Sequence, residues 1–158
     1  MNEQKNLDQL CARFGYDMAK EVNEAFKKPT DTENLITKSL GVLQEDGVYA
    51  FLLYLASQIK EKKGDKKDKR SDAARALANQ AAQLLKHEWL KLIRVGDGED
   101  AYKKAMEEMR SEGGLASRLD DLLLAKRLLE QALIYARYHA KALELGGGNG
   151  LDPIHGHL

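Results

Sequence analysis

The sequence predicts an all-α protein: a single-domain bundle of five to six helices, with a helix corner at Gly47 and a long C-terminal helix. Three observations lead there. Leu and Ala dominate the apolar residues while aromatics make up only 6%, and straight-chain residues and Ala lose least on entering a helix. Apolar positions recur at spacings of three and four, with no strand-type alternation. Only two prolines, Pro29 and Pro153, interrupt a chain rich in Lys and Glu. The length of 158 residues suits one domain. Composition divides it into a helical body over 1–145, with a charged linker expected to be flexible at about 61–71, and a glycine-rich flexible tail over 146–158.

The first periodic segment spans about 4–27, where Leu7, Leu10, Cys11, Phe14, Met18, Val22 and Phe26 share a face. Pro29 breaks the run, and Thr30, Asp31 or Thr32 is expected to cap a second helix carrying Leu35, Ile36, Leu40 and Leu43. Two glycines follow in "SLGVLQEDGVYAFLLYLASQ". A phosphate-cradling loop is excluded there, because Glu45 and Asp46 stand where the phosphate would sit. Gly47 therefore reads as the turn between helices and Gly41 as a close-packing point within one.

A third helix is expected from Val48 to about Lys62, burying Phe51, Leu52, Leu55 and Ile59. Past the linker, Ser71 is the candidate cap of a fourth helix over about 72–94, through Leu77, Ala81, Leu84, Leu85, Trp89, Leu92 and Ile93. A shorter helix is expected at about 99–111. The last, about 115–145, has an apolar face spanning roughly half its circumference at ~100° per residue, so it should touch more than one neighbour.

Several chemistries find no support. Cys11 is the only cysteine, which excludes an internal disulfide or a Cys-based zinc site, and its apolar neighbours suggest a buried thiol. His87 and His139 lack partners at metal spacing, and His155 with His157 is a lone pair in the tail, so no metal and no cofactor is expected. No catalytic residue set emerges, which points away from an enzyme. No signal-like start and no membrane-length apolar run is present, so a reducing, cytoplasmic setting is expected.

The charge is neutral overall but segregated: residues 60–94 hold 11 basic and 5 acidic side chains, while both flanks are net acidic. The linker contributes Lys62, Lys63, Lys66, Lys67, Lys69 and Arg70. On the fourth helix, Arg75, Asn79, Gln83, Lys86 and Arg94 would fall within ~100° of arc, together with Asp72 near its start; apart from Asp72 the stripe is basic or amide, which suits a phosphate backbone. A solvated face with no ligand stands beside this reading. On the last helix, Lys126, Arg137 and Lys141 alternate with Glu130 and Glu144, as intrahelical ion pairs do.

Three stretches, "ITKSLGVLQEDGVYAFLLYLASQ", "AAQLLKHEWLKL" and "LLLAKRLLEQALIYARYHAKAL", cover about a third of the chain. Together they resemble the small subunit of type III CRISPR effector complexes, in particular the small helical subunit of the Cmr-type complex. The insert "KEKKGDKKDKRS", the helix at 99–111 and the tail depart from that pattern. The resemblance implies a non-catalytic protein that stacks in copies along the backbone subunits, beside the large subunit, and lines the groove for guide RNA and target RNA. The rival expectation is a helical adaptor or self-assembling bundle with no nucleic-acid role.

Overall fold

The computed structural model describes residues 6–61, 68–94 and 100–146. Among these residues are six α-helices: α1 (Leu7–Phe26), α2 (Pro29–Asp46), α3 (Val48–Ala56), α4 (Lys69–Lys86), α5 (Ala101–Arg110) and α6 (Leu119–Leu145). No strand occurs among the described residues. The Asn6 side chain accepts the Gln9 N–H at 2.9 Å and starts α1. Leu10, Cys11, Met18, Val22 and Phe26 are buried along one face of that helix, as their spacing predicts.

The α1–α2 corner differs from expectation. Pro29 opens α2 instead of separating it from α1, since its ring presets the helical φ and its missing N–H is no loss there. Lys28 occupies the cap position without a side-chain bond. Thr32, expected as a candidate cap, is fully buried inside the helix, its hydroxyl 3.0 Å from Asn23 Oδ1 and 3.2 Å from the Lys28 carbonyl. That contact fastens the end of α1 to the start of α2.

At the second corner Gly47 serves both helices. Its N–H donates to the Leu43 carbonyl and its own carbonyl accepts from the Phe51 N–H, each at 3.0 Å. Its φ of 96° and ψ of −175° lie where L-residues rarely go. Leu40 and Leu43 on one side and Phe51, Leu52 and Leu55 on the other are all buried. Gly41 is not a close-packing point: a Cβ built there meets nothing within 4 Å. Gly41→Ala is therefore expected to stabilise the protein by about 1 kcal/mol, the intrinsic helix penalty of glycine, measurable as a rise in the urea midpoint.

The close approach lies instead at Gly15. A Cβ there would stand 2.6 Å from the Ala132 carbonyl oxygen and 2.7 Å from Tyr135 Cβ. α1 and α6 cross at this point, running in the same direction, as the contacts of Cys11 with Leu128 and of Tyr16 with His139 show. α2 runs opposite to α6, with Lys126 Nζ donating to the Gln44 carbonyl at 3.1 Å and Lys141 bridging Glu33 at 3.3 Å. Lys126 and Lys141 thus also engage α2 across helices, which their alternation with acids does not predict, while Lys141 lies close enough to Glu144 of its own helix to act on its charge. α4 packs on the other side of α1, where Gln80 meets Glu21 at 2.8 Å. The long last helix does touch several neighbours, α1 and α2 foremost.

Three helices, α3, α4 and α6, are shorter than their periodicity predicts. α3 stops at Ala56, where the Ser57 hydroxyl turns back to the Tyr54 carbonyl at 2.7 Å. Just beyond, the Lys60 N–H donates to the Ser71 hydroxyl at 2.8 Å. That hydroxyl is not a cap: Asp68 caps α4, accepting the Ser71 N–H at 3.0 Å, and Ser71 is buried within the helix. α4 ends at Lys86, eight residues earlier than expected. Before α6 the chain makes a short 3-10 turn at Leu115–Ser117. The linker residues 62–67 and the tail beyond Gly146 lie outside the described residues.

Candidate nucleic-acid interface

Of the nine basic residues expected to meet phosphate, Lys62, Lys63, Lys66 and Lys67 lie outside the described residues. The other five do not form one stripe. Lys69 and Arg70 are exposed in the first turn of α4, where the partial positive charge of the helix start also favours anions. One guanidinium nitrogen of Arg70 donates to Gln58 Oε1 at 2.6 Å. The Asp68 carboxylate sits beside them, held below its usual range by the Ser71 N–H and then by the Lys60 ammonium, 3.6 Å away. That fixed negative charge weakens this end as a phosphate site.

The middle of the expected stripe is covered by α5. Arg75 is only 28% exposed at its side chain and pairs with Asp100 at 2.6 Å. Asn79 accepts the Tyr102 N–H at 3.0 Å. Both side chains dock the start of α5, so their polar groups serve the fold and not a ligand. Around Arg75, Lys103, Arg110, Glu61 and Glu107 rim a recess of about 400 Å³ floored by Ile59 and Met106. Its charges are mixed, and Arg110 is tied to the Tyr49 hydroxyl at 3.0 Å.

The far end of α4 is different. The Trp89 N–H turns onto His87 Nδ1 at 3.1 Å, and the His87 ring meets Phe14 and Trp89 edge-on, with centroids 6.3 and 5.2 Å apart. Lys91 takes a left-handed φ of 47°, which brings the Leu92 N–H back to the Leu85 carbonyl at 3.0 Å. Leu92 and Ile93 are thereby buried. Extending the helix would leave this reversal unmade, so a segment with perfect helical periodicity folds back. Arg94 consequently leaves the helix face it was expected to share with Arg75, which corrects the predicted stripe.

The reversal creates a new juxtaposition. Lys86, Lys91 and Arg94 line one recess of about 330 Å³ together with Ile93. An adjoining recess of about 380 Å³ shares Lys91 and Arg94 and adds Arg118, along with Glu108 and Glu112. Glu108 accepts the Arg94 backbone N–H at 2.5 Å, and Arg118 holds Asp121 and the Leu92 carbonyl, so these groups brace the loop. Sequence reasoning missed Lys91, because on a continuous helix it lies ~140° from Lys86. From Lys69 to Lys86 the helix rises ~26 Å, so the two basic ends of α4 are separate sites.

Two further titratable groups lie against neighbouring helices. Cys11 is buried and donates to the Leu128 carbonyl at 3.5 Å, and burial, then the nearby Asp8, pushes its thiol up to about 11. Burial pushes His139 down, beside the Tyr16 ring. Among the described residues no group of three or more His, Cys, Asp or Glu could hold a metal ion, and no helix is long and apolar enough to cross a membrane. Compared with protein-family models, with curated proteins and with solved structures, the chain matches none.

Proposed function

We propose that the protein is a non-catalytic, RNA-binding helical subunit of an RNA-guided effector assembly, of the type III CRISPR small-subunit class. The observation that carries the RNA contact is the convergence of Lys86, Lys91 and Arg94 on one recess at the foot of α4. The resemblance of three helical stretches carries the class. In this reading the recess and the exposed Lys69 and Arg70 hold phosphates of the guide and target RNA. The backbone and large subunits of the assembly are its protein partners, further copies of the chain accompany it, and its setting is the cytoplasm. Phosphate contacts position a strand without reading its bases, so binding is indifferent to sequence.

Titration of the full chain with single-stranded RNA of mixed sequence, followed by fluorescence anisotropy, tests this. The logarithm of affinity should fall with the logarithm of salt by about 0.7 per phosphate engaged, giving a slope near −2 for a three-cation site. Reversal of Lys86, Lys91 and Arg94 to Glu should remove most of that slope and weaken binding at least about tenfold. Reversal of Lys69 and Arg70 should do less, since Asp68 already opposes an anion there. No binding at low salt, or binding without a salt slope, would sink the RNA reading and leave the adaptor reading in its place.

A further inference from the structure

The recess that Lys86, Lys91 and Arg94 share is a confined place for an anion. Its volume of about 330 Å³ stands at the lower end of the range for small-ligand sites, and the buried Ile93 is its apolar wall. Glu88, on the turn between Lys86 and Lys91, does not line it. Two of the three cations are fixed at their backbone. The Lys91 N–H donates to the His87 carbonyl at 2.8 Å, and the Arg94 N–H to the Glu108 carboxylate at 2.5 Å. Side chains rooted in this way have less freedom to lose when a ligand arrives.

The positive charge stops short on three sides. Along α4 the middle turns are covered by α5, through Arg75 with Asp100 and Asn79 with the Tyr102 N–H. The adjoining recess, which shares Lys91 and Arg94, brings in the carboxylates of Glu108 and Glu112. Toward α1 stand the rings of Phe14, His87 and Trp89, edge against face, and not further cations. The other basic end of α4 is ~26 Å away. A strand that ran on past the recess would therefore carry its next phosphates to a covered helix face or to acids.

We propose that this recess is a site for a phosphate monoester, the terminal phosphate of an RNA strand, and prefers it to the diester phosphates along the strand. The inference rests on the reading of the recess as a phosphate site and deepens it. A monoester carries about −1.5 to −2 charge at pH 7 and offers three strong acceptor oxygens. A diester brings a single charge. Two ammonium groups and a planar guanidinium, which can grip two phosphate oxygens at once, match the monoester in both respects. A strand end also needs only one way in, whereas a continuous strand must leave the recess again. A free nucleoside monophosphate bears the same chemistry, and the measurements separate the two sources.

Fluorescence anisotropy of the full chain reads the preference, with one internally labelled RNA prepared with a 5′-phosphate, with a 3′-phosphate, or with hydroxyls at both ends. At low salt a phosphorylated form should bind about tenfold more tightly than the hydroxyl form, with a salt slope steeper by about 0.7 for the extra charge. Lys91→Gln and Arg94→Gln replace exposed side chains, so their melting temperatures should match the wild type, and each should remove the preference. Lys38→Gln, at an exposed cation of α2, should keep it. Equal affinity for the three RNAs, each with a salt slope, overturns the inference and leaves the RNA reading standing. A preference that survives both Lys91→Gln and Arg94→Gln overturns it too. Calorimetry with a nucleoside 5′-monophosphate gives the other arm: binding of that molecule alone, lost in Lys91→Gln, keeps the monoester site and sinks the RNA reading. Binding of neither overturns both.

Discussion

Gly15→Val is expected to destabilise the protein by about 3 kcal/mol, the upper range for forcing volume into a packed core. For a domain of this size that lowers the melting temperature by roughly 6–12 °C. The reason is what a side chain would meet: the Ala132 carbonyl oxygen at 2.6 Å and the Ala136 nitrogen at 3.1 Å are backbone atoms, which no rotamer change moves aside. Relief requires that α1 and α6 part, and these two helices share the largest packed surface in the fold. The smaller Gly15→Ala makes the sharper comparison. Helix propensity alone says that it and Gly41→Ala should both stabilise by about 1 kcal/mol. The close crossing says that Gly15→Ala destabilises while Gly41→Ala does not. Equal stabilisation of the two, by urea titration, would show that the helices do not approach so closely.

Gly47→Ala is expected to destabilise by about 2 kcal/mol, within the range for an L-residue held in a glycine-only backbone region, and to lower the melting temperature by roughly 4–8 °C. Here space is not the issue, because a Cβ at Gly47 meets nothing within 4 Å. The penalty resides in a φ of 96° with ψ of −175°. A D-alanine placed at this position by chemical ligation finds the mirror-image, extended conformation comfortable and should restore stability to at least the glycine value. If L-alanine and D-alanine at position 47 melt alike, the corner does not depend on its backbone conformation.

Most of the helices were legible because each buries one face, and a face leaves a period in the sequence. Leu10, Met18, Val22, Leu35, Leu43, Phe51 and Leu129 are all buried where their spacing places them. The ends were less legible, because they depend on single hydrogen bonds. In "DKRS" Ser71 reads as the cap, but its hydroxyl takes the Lys60 backbone N–H from another segment, and Asp68 caps the helix instead. Gly15 was silent for a related reason: a glycine within a helical pattern looks the same whether it faces empty space, as Gly41 does, or a second backbone.

The candidate site was legible as a composition and not as a geometry. Basic residues between Lys60 and Arg94 stand out in any count. Their arrangement does not, because Trp89, Leu92 and Ile93 continue the spacing of Leu85 as though the helix went on. Asp100 claims Arg75 from 25 residues away, and that pairing has no periodic signature. The turn at Lys91 buries Leu92 and Ile93 beneath the helix end and gives the Leu85 carbonyl the Leu92 N–H as its partner.

The crossing of α1 and α6 also sets an order of events in synthesis. The thiol of Cys11 reaches the carbonyl of Leu128 across 117 residues, so α1 meets its main neighbour only once α6 has been made. At typical rates of elongation that delay is on the order of ten seconds. Through it α1 has only α2 and then α4 to pack on, and the backbone of α6 that closes on Gly15 is still to come. The bundle is closed from its end: α6 acts as the bolt, and the nascent chain relies on its helical hairpin of α1 and α2 until the bolt slides home.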